Sequence, residues 1–495
     1  MNPLEPGGPL WNPGAVKSWH WTPLAVLIPM LAACRTEAPR SDPVWEELVR
    51  WTDDQREAWH VPGVALGLVR DGWAPKTVGL GVQQVGADAP VTPDTVFRVG
   101  SLSKLVTGVL ALQLVEEGRL APDDTLDALL PDLSLASPQA LAQLTLEGVL
   151  SHSSGLQSTG LPNACSTAPD ALGTVLADRA PDWDLWVAPD TFFQYASPGF
   201  ALAGHAVERA AHVPFAALAR ERVFAPAGLD TMTYDVDVAV AGACATGHSM
   251  VPGTGDVHIY RDFTERDCGA ANPSGGLMSS VHDLAQVVQV LLDGGEPWLG
   301  AVAFEQLTTT GWDFSSSASY GWGLLPTTYR GHRIWLHTGS LKGFQAMLVV
   351  LPDARAGVVV LVNSDHAVTD PPEPWSKPTQ RIAMAAMDGL LGLPAEPKTS
   401  SVRPVADWDR FVGRYLSDFD LGELEVTLDQ DSLWLARRPD TEPEALLPYS
   451  ANTFQAPYEG SDGRTYYSRF SFETDHDGQV AWIASGEGIA ARVDP

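Results

Sequence analysis

Ser101 and Lys104 are the residues whose types and spacing first suggest chemistry. Ser101 follows Gly100 at the predicted start of a helix, where the positive end of the helix dipole would stabilise negative charge on an attacking oxygen. Residues three apart share one helix face, so the Lys104 amine can reach the Ser101 hydroxyl. Burial in an apolar helix lowers the pKa of a lysine, and its neutral amine can then accept a proton. The pair predicts a serine nucleophile activated by lysine.

The Ser-x-x-Lys pattern is common by chance, but its setting in this chain is unusual. The chain has only six lysines, and Lys104 falls within residues 102–114, the most apolar predicted helix. Burying a lysine there without compensation costs several kcal/mol. Ser103 is a weaker candidate for the nucleophile, because Lys104 is adjacent to it and points elsewhere.

Tyr195-Ala196-Ser197 is a second candidate group. A tyrosine can act as general acid or base where neighbouring cations lower its pKa, and Ser197 could pass a proton or bind the substrate. The pattern carries little information by itself, and Tyr195 could equally be a core aromatic residue.

His337-Thr338-Gly339-Ser340 is a third group, predicted at the end of an apolar strand. A strand edge beside the nucleophile could supply a backbone N–H, which with the Ser101 N–H would form an oxyanion hole. Gly339 would permit close approach of substrate. Taken alone, His337 could also be a satisfied core or surface histidine.

The elements that must position these residues follow from the hydrophobic pattern. Helices are predicted at 46–59, 102–114 (closed by Gly118), 144–150, 200–211, 280–292 (capped by Ser280) and 381–391. A β-hairpin is predicted from the apolar run 63–72, which ends in Asp-Gly, and the strand 77–82. Further strands are predicted at 333–337, 345–351 and 357–363, and residues 230–275 are expected to be rich in loops. This order predicts an α+β domain whose sheet takes strands from both ends of the sequence.

Residues 393–407 contain three prolines and are predicted to be a linker. Beyond the linker, apolar residues recur at every second position. This alternation is typical of a small antiparallel β-barrel or sandwich over 408–495. The predicted organisation is a signal peptide at 1–33, a tether at 34–45, a hydrolase domain at 46–392, the linker and the all-β domain.

Together the three groups resemble the Ser-x-x-Lys, Tyr-x-[Asn/Ser] and [Lys/His]-Thr-Gly set of the β-lactamase-related serine hydrolases, which include class C β-lactamases, D,D-peptidases, D-aminopeptidases and esterases. The resemblance covers about residues 46–392 and extends to the segments 62–64, 93–100, 150–156, 273–280, 320–323 and 339–344. It implies the β-lactamase and penicillin-binding-protein fold, an antiparallel sheet with a helical subdomain. Residues 408–495 resemble the small β-barrel often appended to members of this group.

The resemblance also implies roles for individual residues. Ser101 would form an acyl-enzyme, and Lys104 and Tyr195 would share the base and acid duties, with either able to lead. The N–H groups of Ser101 and Ser340 would hold the oxyanion. In the segment 150–156, His152 would be structural.

Two positions differ from the pattern of β-lactamases. Position 197 is Ser where Asn is usual, and position 337 is His where Lys is usual. A neutral histidine attracts a substrate carboxylate less than lysine does, so an esterase or D,D-peptidase-like activity is favoured over an efficient β-lactamase. A catalytically silent protein that binds cell-wall peptides is the alternative, and the intact Ser101, Lys104 and Tyr195 argue against it.

The N-terminus predicts export. An apolar stretch over residues 21–33, too short to span a bilayer, ends in Leu31-Ala32-Ala33-Cys34. This resembles a bacterial lipobox, in which the cysteine is lipidated, so we expect an anchor on Cys34 in the cell envelope. Cys244 and Cys268 are the first guess for a disulfide, although sequence does not fix the connectivity, and Cys165 would then be unpaired.

Composition excludes some classes of function. With 61 acidic residues against 31 basic ones, the net charge is −30, which repels nucleic-acid backbones. The cysteine spacing does not suit zinc, and neither a metal nor a cofactor is expected. The expected partner is a small-molecule or peptide substrate.

Overall fold

The computed structural model describes residues 42–493 apart from 158–169, 186–187, 192, 251–256, 261–270, 310, 316–317, 365–376, 395–406, 417–422, 430–431, 439–442, 449–452, 460–464, 475–478 and 486–488. The predicted signal peptide, Cys34, Cys165 and Cys268 lie outside the described residues, and so does most of the predicted linker. Residues 43–495 form one compact unit.

The helices, in chain order, are α1 Pro43–Ala58, α2 Ser103–Glu116, α3 Leu126–Leu129, α4 Leu146–Leu150, α5 Ala171–Arg179, α6 Ser197–Ala211, α7 Phe215–Ala219, α8 Val236–Ala241, α9 Val281–Leu292, α10 Ala301–Thr309 and α11 Pro378–Leu391. The first twelve strands are β1 Gly63–Arg70, β2 Lys76–Gly81, β3 Phe97–Gly100, β4 Gly247–Met250, β5 Val257–Tyr260, β6 Leu277–Ser279, β7 Trp312–Ser315, β8 Ala318–Tyr320, β9 Leu325–Tyr329, β10 His332–Leu341, β11 Phe344–Leu351 and β12 Ala356–Val362. None of the helices in these described ranges combines the length and the hydrophobicity that a membrane span requires.

The central sheet has six antiparallel strands in the order β2-β1-β12-β11-β10-β9. β1 lies between β2 and β12, with Val64 opposite Val362 and Arg70 opposite Ala356. The sheet therefore joins strands from both ends of the domain, which confirms the predicted α+β arrangement.

Both faces of this sheet are covered, because successive side chains of a strand point to opposite sides. In β12, Val358 and Val360 pack on the side of α1 and α11, whereas Val359 and Leu361 pack on the side of α9. The second side continues into the helical region, where α2 contacts α6. The candidate functional residues lie where this helical region meets the sheet.

Helix α2 is buried all round, as its composition predicts. Residues 103–112 are all buried. A methyl group on Gly108 would lie 1.6 Å from the carbonyl oxygen of Trp322, so a chain segment crosses directly over the helix there. Gly118, just beyond the helix, has a φ of +67°, which fits the predicted role of closing it.

The C-terminal part is all β, as predicted. Its strands are β13 Gly413–Leu416, β14 Glu423–Asp429, β15 Ser432–Arg438, β16 Glu444–Pro448, β17 Thr453–Glu459, β18 Thr465–Thr474, β19 Val480–Ser485 and β20 Ile489–Arg492. Each pairs with the next in antiparallel fashion, and β13 also pairs with β20, so the sheet closes on itself. It has its own core, which includes Phe411, Tyr415, Phe454, Phe470 and Phe472.

Some bounds differ from the predicted ones. α1 begins at Pro43, inside the predicted tether, and α6 begins at Ser197. β10 runs on to Leu341, so His337 and Gly339 lie within a strand rather than at its end. The strand continues because β11 returns directly and pairs Gly339 with Ala346. The region 230–275 contains α8 and the β4–β5 hairpin among its loops.

Candidate active site

Ser101 lies at the junction between β3 and α2. Gly100 ends β3 with a φ of +54°, a left-handed conformation that favours glycine, and this turns the chain into the helix. The N–H of Lys104 donates to the carbonyl of Ser101 at 3.0 Å, which makes Ser101 part of the first helical turn. The Ser101 side chain is half-buried. The nucleophile candidate is therefore held on rigid backbone at a helix N-terminus.

The Lys104 amine lies among oxygen atoms. Its Nζ is 3.4 Å from Ser101 Oγ, 3.3 Å from Ser197 Oγ and 2.8 Å from the carbonyl oxygen of Ser274. The side chain is fully buried, and no carboxylate pairs with it among the described residues. Burial lowers the pKa of Lys104 to about 7. Near neutral pH, a substantial fraction of this lysine is an uncharged amine.

Tyr195 and Ser197 both lie close to the Lys104 amine. Lys104 Nζ is 4.7 Å from the centre of the Tyr195 ring. Burial raises the pKa of Tyr195 well above its ordinary value, and a hydrogen bond with the Ser101 side chain opposes this rise. A role for Tyr195 as a base would need neighbouring cations to lower its pKa; burial is the dominant influence instead, and the side chain remains a phenol at neutral pH.

His152 packs against Tyr195 and binds the backbone beside it. It is fully buried with a φ of +61°, and its Nδ1 accepts the Ala196 N–H at 3.1 Å. Its ring lies 4.2 Å from that of Tyr195, centre to centre. Burial together with Lys104 and His337 holds the pKa of His152 well below its usual range. The residue fixes the backbone next to Tyr195, which agrees with the structural role implied for it.

Strand β10 closes the site on the side of Ser340. Thr338 and Ser340 are exposed to solvent, whereas His337 and Gly339 are buried. A methyl group on Gly339 would lie 1.9 Å from the carbonyl oxygen of Val99, and one on Gly100 would lie 3.1 Å from the nitrogen of Ser340. The backbone of β10 therefore lies directly against the segment that carries Ser101.

Both ring nitrogens of His337 have partners. Nδ1 lies 2.7 Å from the carbonyl oxygen of Thr338, and Nε2 lies 2.7 Å from the hydroxyl of Tyr320. Burial and the nearby Lys104 lower the pKa of His337 to about 3, so the ring is neutral. The sequence places His337 among the candidate substrate-binding residues, and in the structure both of its ring nitrogens bind groups inside the protein.

Tyr320 is the member of this site that sequence reasoning missed. Its ring is buried, 4.5 Å from His152 and 6.1 Å from Tyr195 between ring centres. The signal was present in the segment 320–323, which carries the family resemblance, but a tyrosine in such a segment gives no sign of its partner.

The structure thus brings together the predicted residues Ser101, Lys104, Tyr195, Ser197, His337, Thr338, Gly339 and Ser340. The predicted lipidation site and the proposed disulfide lie outside the described residues, although Cys244 itself is half-buried. Among the described residues, no group of three or more His, Cys, Asp or Glu side chains is arranged to hold a metal ion.

The chain is similar to known proteins over most of its length. The family described as Beta-lactamase matches residues 48–377. Penicillin-binding protein 4 of Amycolatopsis lactamdurans is 27% identical over 381 residues, which cover 73% of this chain and 96% of that protein.

Two solved structures share the fold. The octameric penicillin-binding protein homologue from Pyrococcus abyssi superposes with a TM-score of 0.63 at 22% identity, covering 90% of this chain and 100% of that one. D-amino acid amidase from Ochrobactrum anthropi SV3, complexed with L-phenylalanine amide, gives a TM-score of 0.58 at 22% identity, covering 70% of this chain and 99% of that one. With the family match extending over two thirds of the sequence, this chain belongs to the beta-lactamase family of hydrolases.

Proposed function

We propose that the protein is a serine hydrolase that acts through an acyl-enzyme on Ser101. The observation that carries the proposal is the Lys104 amine, fully buried, 3.4 Å from Ser101 Oγ and with a pKa of about 7. Such an amine can accept a proton at neutral pH, which an ordinary lysine rarely does. A family member that only bound peptides would have no need of it.

In the first step, Ser101 Oγ attacks the carbonyl carbon of the substrate and its proton passes to the neutral Lys104 amine. The carbonyl electron pair moves onto oxygen, where the backbone N–H groups of Ser101 and Ser340 stabilise the negative charge. The close approach of β10 to Gly100 supports this pairing of donors. Collapse of the tetrahedral intermediate breaks the bond to the leaving group and leaves the acyl-enzyme.

Tyr195 suits proton delivery better than proton abstraction. Its raised pKa keeps the phenol protonated at rest, beside Ser101 and the Lys104 amine. The phenol can pass a proton to the leaving group and regain one from the Lys104 ammonium, with Ser197 as a polar neighbour of that amine. Water then attacks the acyl-enzyme, which releases the acid and restores Ser101.

The proposed substrates are esters, amides or D-amino-acid peptides. One relative is named a penicillin-binding protein and one structural neighbour a D-amino acid amidase, and both names fit acyl transfer at such bonds. A neutral His337 with both nitrogens occupied offers no charge to a substrate carboxylate. This favours an esterase or peptidase-like activity over an efficient β-lactamase.

The proposal is tested with a fluorophosphonate probe, which reacts with activated serines, followed by a panel of nitrocefin, p-nitrophenyl esters and D-Ala-D-Ala peptides. We expect labelling of the wild type, none of Ser101→Ala, and turnover of at least one ester or peptide. Unlabelled wild type would instead favour the silent peptide-binding protein, and undiminished labelling of Ser101→Ala would overturn Ser101 as the nucleophile.

We further propose that the protein is exported and anchored in the bacterial cell envelope by lipid on Cys34. The support is the apolar stretch that ends in Leu31-Ala32-Ala33-Cys34. Metabolic labelling with a palmitate analogue should mark the wild type and not Cys34→Ser. Equal labelling of the two would overturn the proposal.

A further inference from the structure

The buried residues Tyr320 and His337 form a chain of hydrogen bonds that ends at the backbone of β10. A carbonyl oxygen can only accept, so the contact of 2.7 Å between His337 Nδ1 and Thr338 O places the ring proton on Nδ1. Nε2 of the neutral ring is then an acceptor, and the Tyr320 hydroxyl donates to it at 2.7 Å. The arrangement fixes both the tautomer and the orientation of the imidazole.

At their other end, these hydrogen bonds reach the peptide unit just before the one that carries the proposed oxyanion donor, the Ser340 N–H. The carbonyl that His337 binds belongs to the peptide between Thr338 and Gly339, and the next peptide carries the Ser340 N–H. Gly339 is already in tight contact with Val99, so a small rotation of this peptide would move the donor relative to Ser101.

The Tyr320 end of this series of hydrogen bonds lies next to α2, the helix that carries Lys104. A methyl group on Gly323 would lie 2.3 Å from the Lys104 carbonyl oxygen, and one on Gly108 of α2 would lie 1.6 Å from the Trp322 carbonyl oxygen. Tyr320 precedes this contact and its ring packs against His152. Tyr320 thus spans the distance between α2 and β10.

We infer that Tyr320 is a positioning residue, which holds His337 as its Nδ1–H tautomer and so sets the Ser340 N–H against Ser101. The inference rests on the proposed acyl-enzyme function. Tyr320 does not contact the substrate in this scheme, and it acts only through His337. The groups around the pair that could titrate with it are Lys104, Tyr195 and His152.

Kinetics of Tyr320→Phe test the inference, because this change removes the hydroxyl and keeps the ring. For a p-nitrophenyl ester that the wild type turns over, we expect kcat to fall roughly 10- to 100-fold, less than complete loss of an oxyanion donor costs, with KM within about threefold. The matched control is Tyr415→Phe, which removes a buried hydroxyl that donates to Phe411 O in the C-terminal sheet, and which should leave kcat unchanged.

A double-mutant cycle distinguishes positioning from a general packing effect. His337→Asn keeps an amide that can donate to Thr338 O but does not reach Tyr320. In that background, Tyr320→Phe should lower kcat by less than about twofold, because coupled residues are not additive. Additive losses, or full activity of Tyr320→Phe, would overturn the inference.

A spectroscopic measurement does not depend on turnover. In ¹⁵N-histidine spectra of the wild type, the signal lost in His337→Asn should show a protonated Nδ1 and an unprotonated, hydrogen-bonded Nε2, and Tyr320→Phe should shift that Nε2. A protonated Nε2, or no shift, would overturn the inference. If Ser101 fails to react with the fluorophosphonate, the proposed function fails, and these spectra still decide whether Tyr320 sets the state of His337.

Discussion

The buried amine of Lys104 has oxygen neighbours but no carboxylate partner among the described residues. A full positive charge on it is therefore poorly stabilised. Ser101, Ser197 and Ser274 each offer Lys104 one neutral oxygen. Neutral oxygens stabilise an ammonium ion less than a carboxylate does, so desolvation dominates and the pKa of Lys104 falls. Two predictions follow at the scale of this residue.

The first concerns pH. Because the neutral form of Lys104 is the proposed base, kcat/KM for a neutral ester should rise as pH increases through about 7 and then level off. Initial rates between about pH 5 and 9 on a substrate without ionisable groups measure this. A profile that falls with pH through this range would contradict a lysine base.

The second concerns stability. In the unfolded chain Lys104 keeps its proton up to its ordinary pKa, so between pH 7 and about 10 this residue binds more protons in the unfolded state, and its contribution to stability rises with pH. Lys104→Met removes this cost. It should abolish activity and raise the free energy of unfolding at pH 7 by about 1–4 kcal/mol.

Urea denaturation checks the gain, which should shrink as pH approaches 10. The matched control is Lys342→Met at an exposed position, for which we expect a change within about 0.5 kcal/mol. A destabilised Lys104→Met would mean that the charged amine is stabilised in the folded protein.

At the scale of elements, the site depends on how closely β10 approaches the β3–α2 junction. Gly339→Ala would place a methyl group 1.9 Å from the Val99 carbonyl oxygen, and only a shift of the strand can relieve that contact. We expect at least about a 100-fold loss of kcat, as for loss of an oxyanion donor.

The control for Gly339→Ala is Gly275→Ala, next to Ser274 in the same site. A methyl group there meets nothing within 4 Å, so this variant should keep its activity. Thermal unfolding of both variants separates a displaced strand from a failure to fold. Equal activities in the two variants would show that the close approach of β10 is not needed.

The local pattern of the sequence predicted most of the elements. The apolar content of α2 correctly indicated a buried helix, and the alternation of apolar and polar residues correctly indicated the C-terminal strands. Ser280 caps α9, as predicted, by accepting the Asp283 N–H. These features depend on neighbours in the chain.

Contacts between distant segments could not be predicted in this way. β10 extends past its apolar run because β11 supplies hydrogen bonds as far as Leu341. The partner of His337 is Tyr320, on another strand, so the sequence left the environment of the imidazole undecided. The sign of the pKa shift of Tyr195 likewise depended on how deeply the fold buries it.

At the scale of the whole molecule, the C-terminal sheet touches the hydrolase domain near the site. β18 lies against β7, and the β7–β8 hairpin leads directly to Tyr320. The C-terminal part has a separate hydrophobic core. Its removal should therefore leave the central sheet folded and alter one wall of the cleft.

We predict that a chain lacking 403–495 turns over small p-nitrophenyl esters within about threefold of the wild type, a change of roughly 0.6 kcal/mol in transition-state stabilisation. Its kcat/KM for larger D-peptides should change more, because access to the cleft is altered. Circular dichroism verifies folding, and unchanged kinetics on both substrate sizes would exclude a role for this part in access.

The pairing of β1 with β12 has a consequence for the time at which activity arises. Ser101 and Ser340 are 239 positions apart (340 − 101). Like β1 and β12, β3 before Ser101 and β10 with Ser340 come from opposite ends of the domain, and they meet through long-range contacts. Such long-range pairings form late and slowly. During refolding, helices should appear well before any acylation, and fragments that end before β10 should be chemically silent. Reactivity of Ser101 towards a probe thus indicates that the strands from the two ends of the domain have come together.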